Sequence, residues 1–356
     1  MSYRSSLALA ATLLSAACAT ARAPDAEQRM NAVAESYVKL VLSVGHHDAN
    51  YVDAYYGPPA WKAWADSAKL PLADIARRAD AALAELPSFP ARSEDMLALR
   101  SRYLGTQLGS LRARVRMLQG EPFTFDEESK ALYDAVAPTH DEAYFQRVID
   151  TLARVVPGTG PLPERMEAFR RAFIIPRETI DTVFAMAIAE CKRRTARHLV
   201  LPPDEQFTVE QVVDKPWSGY NWYQGRYRSL IQVNVELPIY IDRAVDLACH
   251  EGYPGHHVYN ALLEYHLVRG RGWPEYSVYP LFSPQSLIAE GSANYGIDVA
   301  FPGNERIDYE KAALFPLAGL DASRADEYYA VQELMRQLTY AGNEAARRYL
   351  NGQITA

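Results

Sequence analysis

The sequence predicts a mainly helical protein, and three observations predict it. Apolar residues recur at helical spacing through most of the chain, the breaks between them are short and rich in Pro and Gly, and a single segment alternates as a strand would. The first helix is read from Asp25 to about Val44, with Val33, Tyr37, Leu40 and Val41 on one face. The alanine-rich stretch 73–86, ending before Pro87, continues the pattern, as do 93–118, 125–136 and 140–155. A Pro- and Gly-rich loop at 157–163 precedes helices at 164–174 and 177–199, and Pro202-Pro203 closes that half. Beyond it lie a ribbon at 217–235, a histidine-bearing helix, a helix starting at Ser283-Pro284, and helices at 305–317 and 325–349. The chain therefore divides near residue 200 into an N-terminal helical half, 24–200, and a site half, 201–356, with both expected to form one cleft.

Eight residues of the site half, His250-Glu251-Gly252-Tyr253-Pro254-Gly255-His256-His257, hold three of the chain's eight histidines. Imidazole nitrogens and carboxylate oxygens are the usual ligands of catalytic zinc, and a Glu beside the first ligand can take a proton from the attacking water. That Glu is Glu251. The spacing departs from H-E-x-x-H: on an unbroken helix His256 would lie roughly 240° round from His250, and His257 about 10 Å along the axis. Pro254 and Gly255 supply a break that can return His256 to His250. His250 and His256 are the expected ligands, with His257 behind them or on the substrate side, and as the alternative second ligand. Glu290, a charge in an apolar, small-residue stretch, is the expected third ligand.

The segment 217–235 alternates apolar residues between glycines, which suggests a hairpin beside the metal helix. It is read as the cleft wall, where an edge strand could bind an extended peptide by backbone hydrogen bonds. Tyr220, Tyr223, Arg226, Tyr227 and Arg228 are candidate substrate contacts, an arginine being suited to a substrate carboxylate. A tyrosine that polarises the reacting carbonyl is expected, with Tyr295, Tyr276 and Tyr279 as candidates.

The run Gln224-Gly225-Arg226-Tyr227, Asn234, His250 to His257, and Glu290-Gly291-Ser292-Ala293-Asn294-Tyr295 resembles the bacterial family catalogued as domain of unknown function 885. That family is similar to zinc metallopeptidases of the carboxypeptidase Taq type. The resemblance covers about 215–300 and, before it, Asp53-Ala54-Tyr55-Tyr56-Gly57-Pro58. It implies a helical, zincin-like architecture with a deep cleft, with His250, His256 and Glu290 as ligands and Glu251 as general base. Two positions depart from the family's E-G-W-A-x-Y pattern: Ser292 stands where Trp is common, and Asn294 where Leu is more usual. Resembling proteins carry further helices beyond the point equivalent to Ala356, so the chain reads as a fragment or a short member.

The N-terminus reads as an export signal. Arg4 precedes the short apolar run Leu7 to Leu14, and small residues follow. Residues 1–23 form an ordinary signal if cleavage follows Ala21-Arg22-Ala23; residues 1–17 form a lipoprotein signal if Ser15-Ala16-Ala17-Cys18 is processed to leave a lipidated Cys18. The protein is then exported, in the periplasm or lipid-anchored to the envelope. No later run is long enough for a membrane span. Cys191 and Cys249 could form one bridge, although Cys249 is read first as a core thiol. With 37 basic against 44 acidic residues, a net charge of −7 and no basic run, nothing suggests nucleic acid. The expected function is an exported zinc-dependent hydrolase, a metallopeptidase acting on a peptide or small amide. The alternatives are another amide or ester hydrolase on the same site, and a helical metal-binding protein without activity.

Overall fold

The computed structural model describes residues 25–355, and the protein is mainly helical. In the N-terminal region the helices are α1 (Ala26–Val44), α2 (Pro59–Ala68), α3 (Leu72–Ala84), α4 (Met96–Leu118) and α5 (Phe125–Tyr133). They are followed by α6 (Glu142–Val155), α7 (Leu162–Arg171) and α8 (Ile180–Thr195). The remaining helices are α9 (Asp242–Leu247), α10 (His256–Leu263), α11 (Pro284–Ala300), α12 (Glu305–Tyr309), α13 (Phe315–Leu317), α14 (Ala325–Leu338) and α15 (Tyr340–Leu350). Local chemistry explains several starts. The Asp25 carboxylate accepts from the Gln28 N–H, Thr124 and Glu127 form a reciprocal capping box, and Ser283 accepts from the Ser286 N–H.

The expected ribbon is present and larger than expected. Strands β3 (Gly219–Gly225) and β4 (Arg228–Asn234) form the antiparallel hairpin, and β2 (Gln206–Val212) adds to β4 in parallel, giving the order β2-β4-β3. Strand β2 is mostly exposed and polar, so it carries no alternation to find. A second sheet pairs β1 (Val52–Tyr55) with β5 (Val278–Pro280), joining segments more than 200 residues apart. Helix α2 also lay outside the expected elements. Its Pro58-Pro59 start reads as a turn, yet proline at the first helical position loses no hydrogen bond.

Two apolar cores hold the molecule, and they do not divide at residue 200. One joins α1, α3 and α4 with Val278 of β5. The other joins α6 to α8, from Val148 to Cys191, with β4, α9, α11 and α14. The last third of the N-terminal half thus packs with α9 and α11, because α6 to α8 turn their apolar faces toward them rather than toward α1. No described helix is long and apolar enough to cross a membrane. The expected signal and lipidation site, including Cys18, lie outside the described residues.

Candidate metal centre

Helix α9 is regular as far as Leu247 and then widens into a π turn over Ala248–Gly252. Tyr253 leaves it extended, the Tyr253–Pro254 peptide is cis, and the Gly255 N–H returns to donate to the Cys249 carbonyl at 2.9 Å. A Cβ at Gly255 would sit 1.8 Å from the His250 carbonyl oxygen, so the close return admits glycine alone. Helix α10 then restarts at His256. The six-residue spacing that would oppose the two rings on a straight helix instead brings their centroids to 4.7 Å.

Glu290, on α11, closes the group. His250 Nε2 lies 3.3 Å from Glu290 Oε2, and His256 Nε2 lies 3.3 Å from Glu290 Oε1. One ligand atom from each of the three residues falls within 4.8 Å of the others. Ligands of a tetrahedral zinc bound at about 2.0–2.2 Å stand about 3.3–3.6 Å apart, so both histidine–carboxylate distances match such an ion. Hydrogen bonds to His250 and His256 hold the Glu290 carboxyl well below the usual carboxylate range, although this residue is half exposed. Asn294 Oδ1, one turn on from Glu290, lies 3.1 Å from His250 Nδ1. With Nδ1 protonated it accepts that N–H and leaves Nε2 toward the ligand group. Asn294 therefore orients the His250 ring.

Glu251 is buried beside His250 and His256, and burial pushes its carboxyl up against the opposing pull of His256 and His250. Strand β3 passes close to it. A Cβ on Gly219 would come 2.6 Å from Leu247 Cδ2 and 3.4 Å from Glu251 Oε1, so a larger residue there would have to displace the end of the Leu247 side chain. The Asn221 amide donates to the Glu251 carbonyl at 2.6 Å. A cavity of about 780 Å³ opens over these groups, with Asp53 from β1, Tyr279 from β5 and Arg243 from α9 in its wall.

The structure brings His250, Glu251, His256, Glu290 and Tyr220 to this cavity, and it places the other expected contacts elsewhere. Tyr223 is not in the cavity lining and donates to Glu264 at 2.6 Å. Arg226 and Tyr227 form the tight two-residue turn, at φ 56° and 59°, and Arg228 is exposed just after it. All four sit at or toward the turn end of the ribbon, whereas Gly219 to Asn221, at the other end of β3, lie beside the segment that carries His250 and Glu251. His257 is fully buried, with Nδ1 at 2.9 Å from Ser229 Oγ and Nε2 at 2.8 Å from Glu205. Tyr295 is 68% exposed on the outer face of α11, and Tyr276 stacks on Tyr103; of the three candidate tyrosines only Tyr279 lines the cavity. Cys249 is not a free core thiol but is bonded to Cys191, with their Cα atoms 5.7 Å apart, and so ties α8 to the π turn.

Sequence reasoning missed Asp53, Asn221, Arg243 and Asn294. Asp53 had a signal, since it opens the one N-terminal segment that resembles the family. Arg243 had another, lying seven residues before His250 on one helix face.

No family model matches the chain, and no curated protein sequence matches it. A solved structure of a protein provisionally described as a lipoprotein, from Colwellia psychrerythraea, is similar at 16% identity and a TM-score of 0.37, over 77% of this chain. The chain spans 58% of that protein's length.

Proposed function

We propose that the protein is an exported zinc-dependent hydrolase, a metallopeptidase in a zincin-like cleft, related to the family of unknown function that its motifs resemble. The observation that carries the reading is the convergence of His250, His256 and Glu290 ligand atoms within 4.8 Å, with buried Glu251 beside them in one cavity. Two imidazoles and a carboxylate form a donor set used by catalytic zinc. Zinc held there would supply Lewis-acid polarisation of a carbonyl and a water whose pKa is lowered to about 7.

The protein's own residues do the rest. Glu251, with its carboxyl raised by burial, takes the proton of the attacking water and passes it to the departing nitrogen. Asn221 holds the Glu251 backbone at its carbonyl, and Asn294 fixes the His250 ring.

Elemental analysis of the purified protein tests the reading, beside His250→Ala and Glu290→Ala and a screen of peptide hydrolysis. Near-stoichiometric zinc, lost in both variants, with hydrolysis abolished by Glu251→Gln, is the expected result. Zinc retained with no turnover of any peptide, amide or ester would leave a metal-binding protein, and no metal at all would end the reading.

A further inference from the structure

The cavity holds more negative charge than the metal group uses. Its lining carries four carboxylates, Asp53, Asp246, Glu251 and Glu290, against one permanent cation, Arg243. Arg243 is itself bonded to Asp246 and to Ser218 Oγ, so its charge is already met inside the wall. A divalent ion at the ligand group would still leave one uncompensated negative charge. Asp53 is where that charge sits. Its carboxylate takes part in no ion pair among the described residues, and its side-chain partner there is the neutral Tyr220 hydroxyl, which donates to it.

One further feature marks this wall as a place for an N–H donor. Tyr220, the neighbour of Asn221 on β3, is fixed between Trp217 and Trp222, with ring centroids at 5.5 and 4.6 Å, and its oxygen keeps lone pairs free while its proton goes to Asp53. Burial raises the Asp53 carboxyl, with His256 opposing the rise and Glu290 adding to it; a bound cation would oppose it too. The same interactions place Asp53 within electrostatic reach of the ligand group.

We propose that Asp53, held by Tyr220 in the cavity wall, receives a protonated amino group of the substrate. The inference rests on the hydrolase reading and narrows it: the substrate is a peptide or amide with a free primary ammonium close to the bond that breaks. A carboxylate-recognising cleft would need a cation free of an acid partner, and Arg243 is not one.

The test is binding, read by calorimetry and by the fluorescence of the tryptophans that flank Tyr220, on zinc-supplemented protein carrying Glu251→Gln. Leucinamide is compared with N-acetyl-leucinamide and with N-acetyl-leucine. The free amine is expected to bind at least about tenfold more tightly than either acetylated compound. Asp53→Asn should erase the preference, and Asp53→Glu should restore part of it. Equal binding of the amine and its acetylated form, tighter binding of the free acid, no binding of any of them, or a preference that survives Asp53→Asn overturns the proposal. Turnover by the unmodified protein separates the two readings. Hydrolysis of N-acetylated and free peptides alike leaves the peptidase standing without the amine site; amine binding without hydrolysis leaves the site and removes the peptidase.

Discussion

His256 and His257 are adjacent in sequence and sit in opposite environments. The His256 ring faces the cavity, with Nε2 at 3.3 Å from a half-exposed carboxylate. The His257 ring is fully enclosed, with both nitrogens engaged, by Ser229 on β4 and by Glu205, which Lys192 and Tyr253 also contact at 2.7 Å. One helical step of about 100° separates a side chain free to hold a ligand from one whose bonding capacity is spent. The comparison teaches that residue type does not assign the role here. What matters is how many of the imidazole's two nitrogens the fold leaves available.

His256→Ala should give the largest difference between the two faces. Bound zinc is expected to fall from near one equivalent to near none, with the metal-free protein unfolding at almost the unmodified temperature, as read by elemental analysis and calorimetry. If His257→Ala is the variant that loses the metal, the assignment is reversed. Glu251→Gln sharpens the cavity side. Turnover should fall by about 10²–10⁴ while zinc and stability are kept, and unchanged turnover would remove Glu251 from the chemistry.

On the enclosed side, His257→Ala should cost about 2–3 kcal/mol in urea unfolding and leave metal content unchanged, since it opens a cavity and leaves Ser229 and Glu205 each short of a partner. Ser229→Ala, which removes one neutral hydrogen bond, should cost about 1 kcal/mol. Values reversed between these two would mean that the network is not centred on the ring.

Glu310, another enclosed acid group, offers a pH handle remote from the His250–Glu290 group. Arg306 donates to its Oε1 at 2.9 Å, but Oε2 has no partner, and burial outweighs the guanidinium and pushes the carboxyl up to about 8. The folded state then keeps a proton that the unfolded chain has released above its ordinary carboxyl range. Stability should therefore decline as pH rises from about 4.5 to about 8, by at most about 1.4 kcal/mol per unit. The urea midpoint at pH 5 and at pH 8 measures this, and Glu310→Gln should flatten the slope. A slope unchanged in that variant would place the titration elsewhere.

The legible parts of the sequence were those whose signal is local. α1 was readable from Val33, Tyr37, Leu40 and Val41 and from its Asp25 cap, and α11 from Ser283-Pro284. Loss of signal followed loss of locality. β1 and β5 are four and three residues long and pair across the chain, so neither has a periodicity of its own. Helices at 305–317 and 325–349 were read as continuous, whereas a π turn before Pro316 and a break at Thr339 divide them, because a widened turn keeps helical spacing in the sequence.

The candidate site divides in the same way. By itself the sequence determined the donor types, their crowding into eight residues and the break at Pro254-Gly255, because ligand chemistry and backbone freedom belong to the residues themselves. Only the tertiary structure decided that His256 rather than His257 meets Glu290, that the Arg226–Arg228 end of the ribbon turns away, and that Asp53 and Asn221 enter the cavity. Those outcomes depend on a π turn closing at Gly255, on the direction of a hairpin, and on a strand pair joining residues more than 200 apart. Side-chain direction at such places is set by contacts between distant segments, and no local pattern records them.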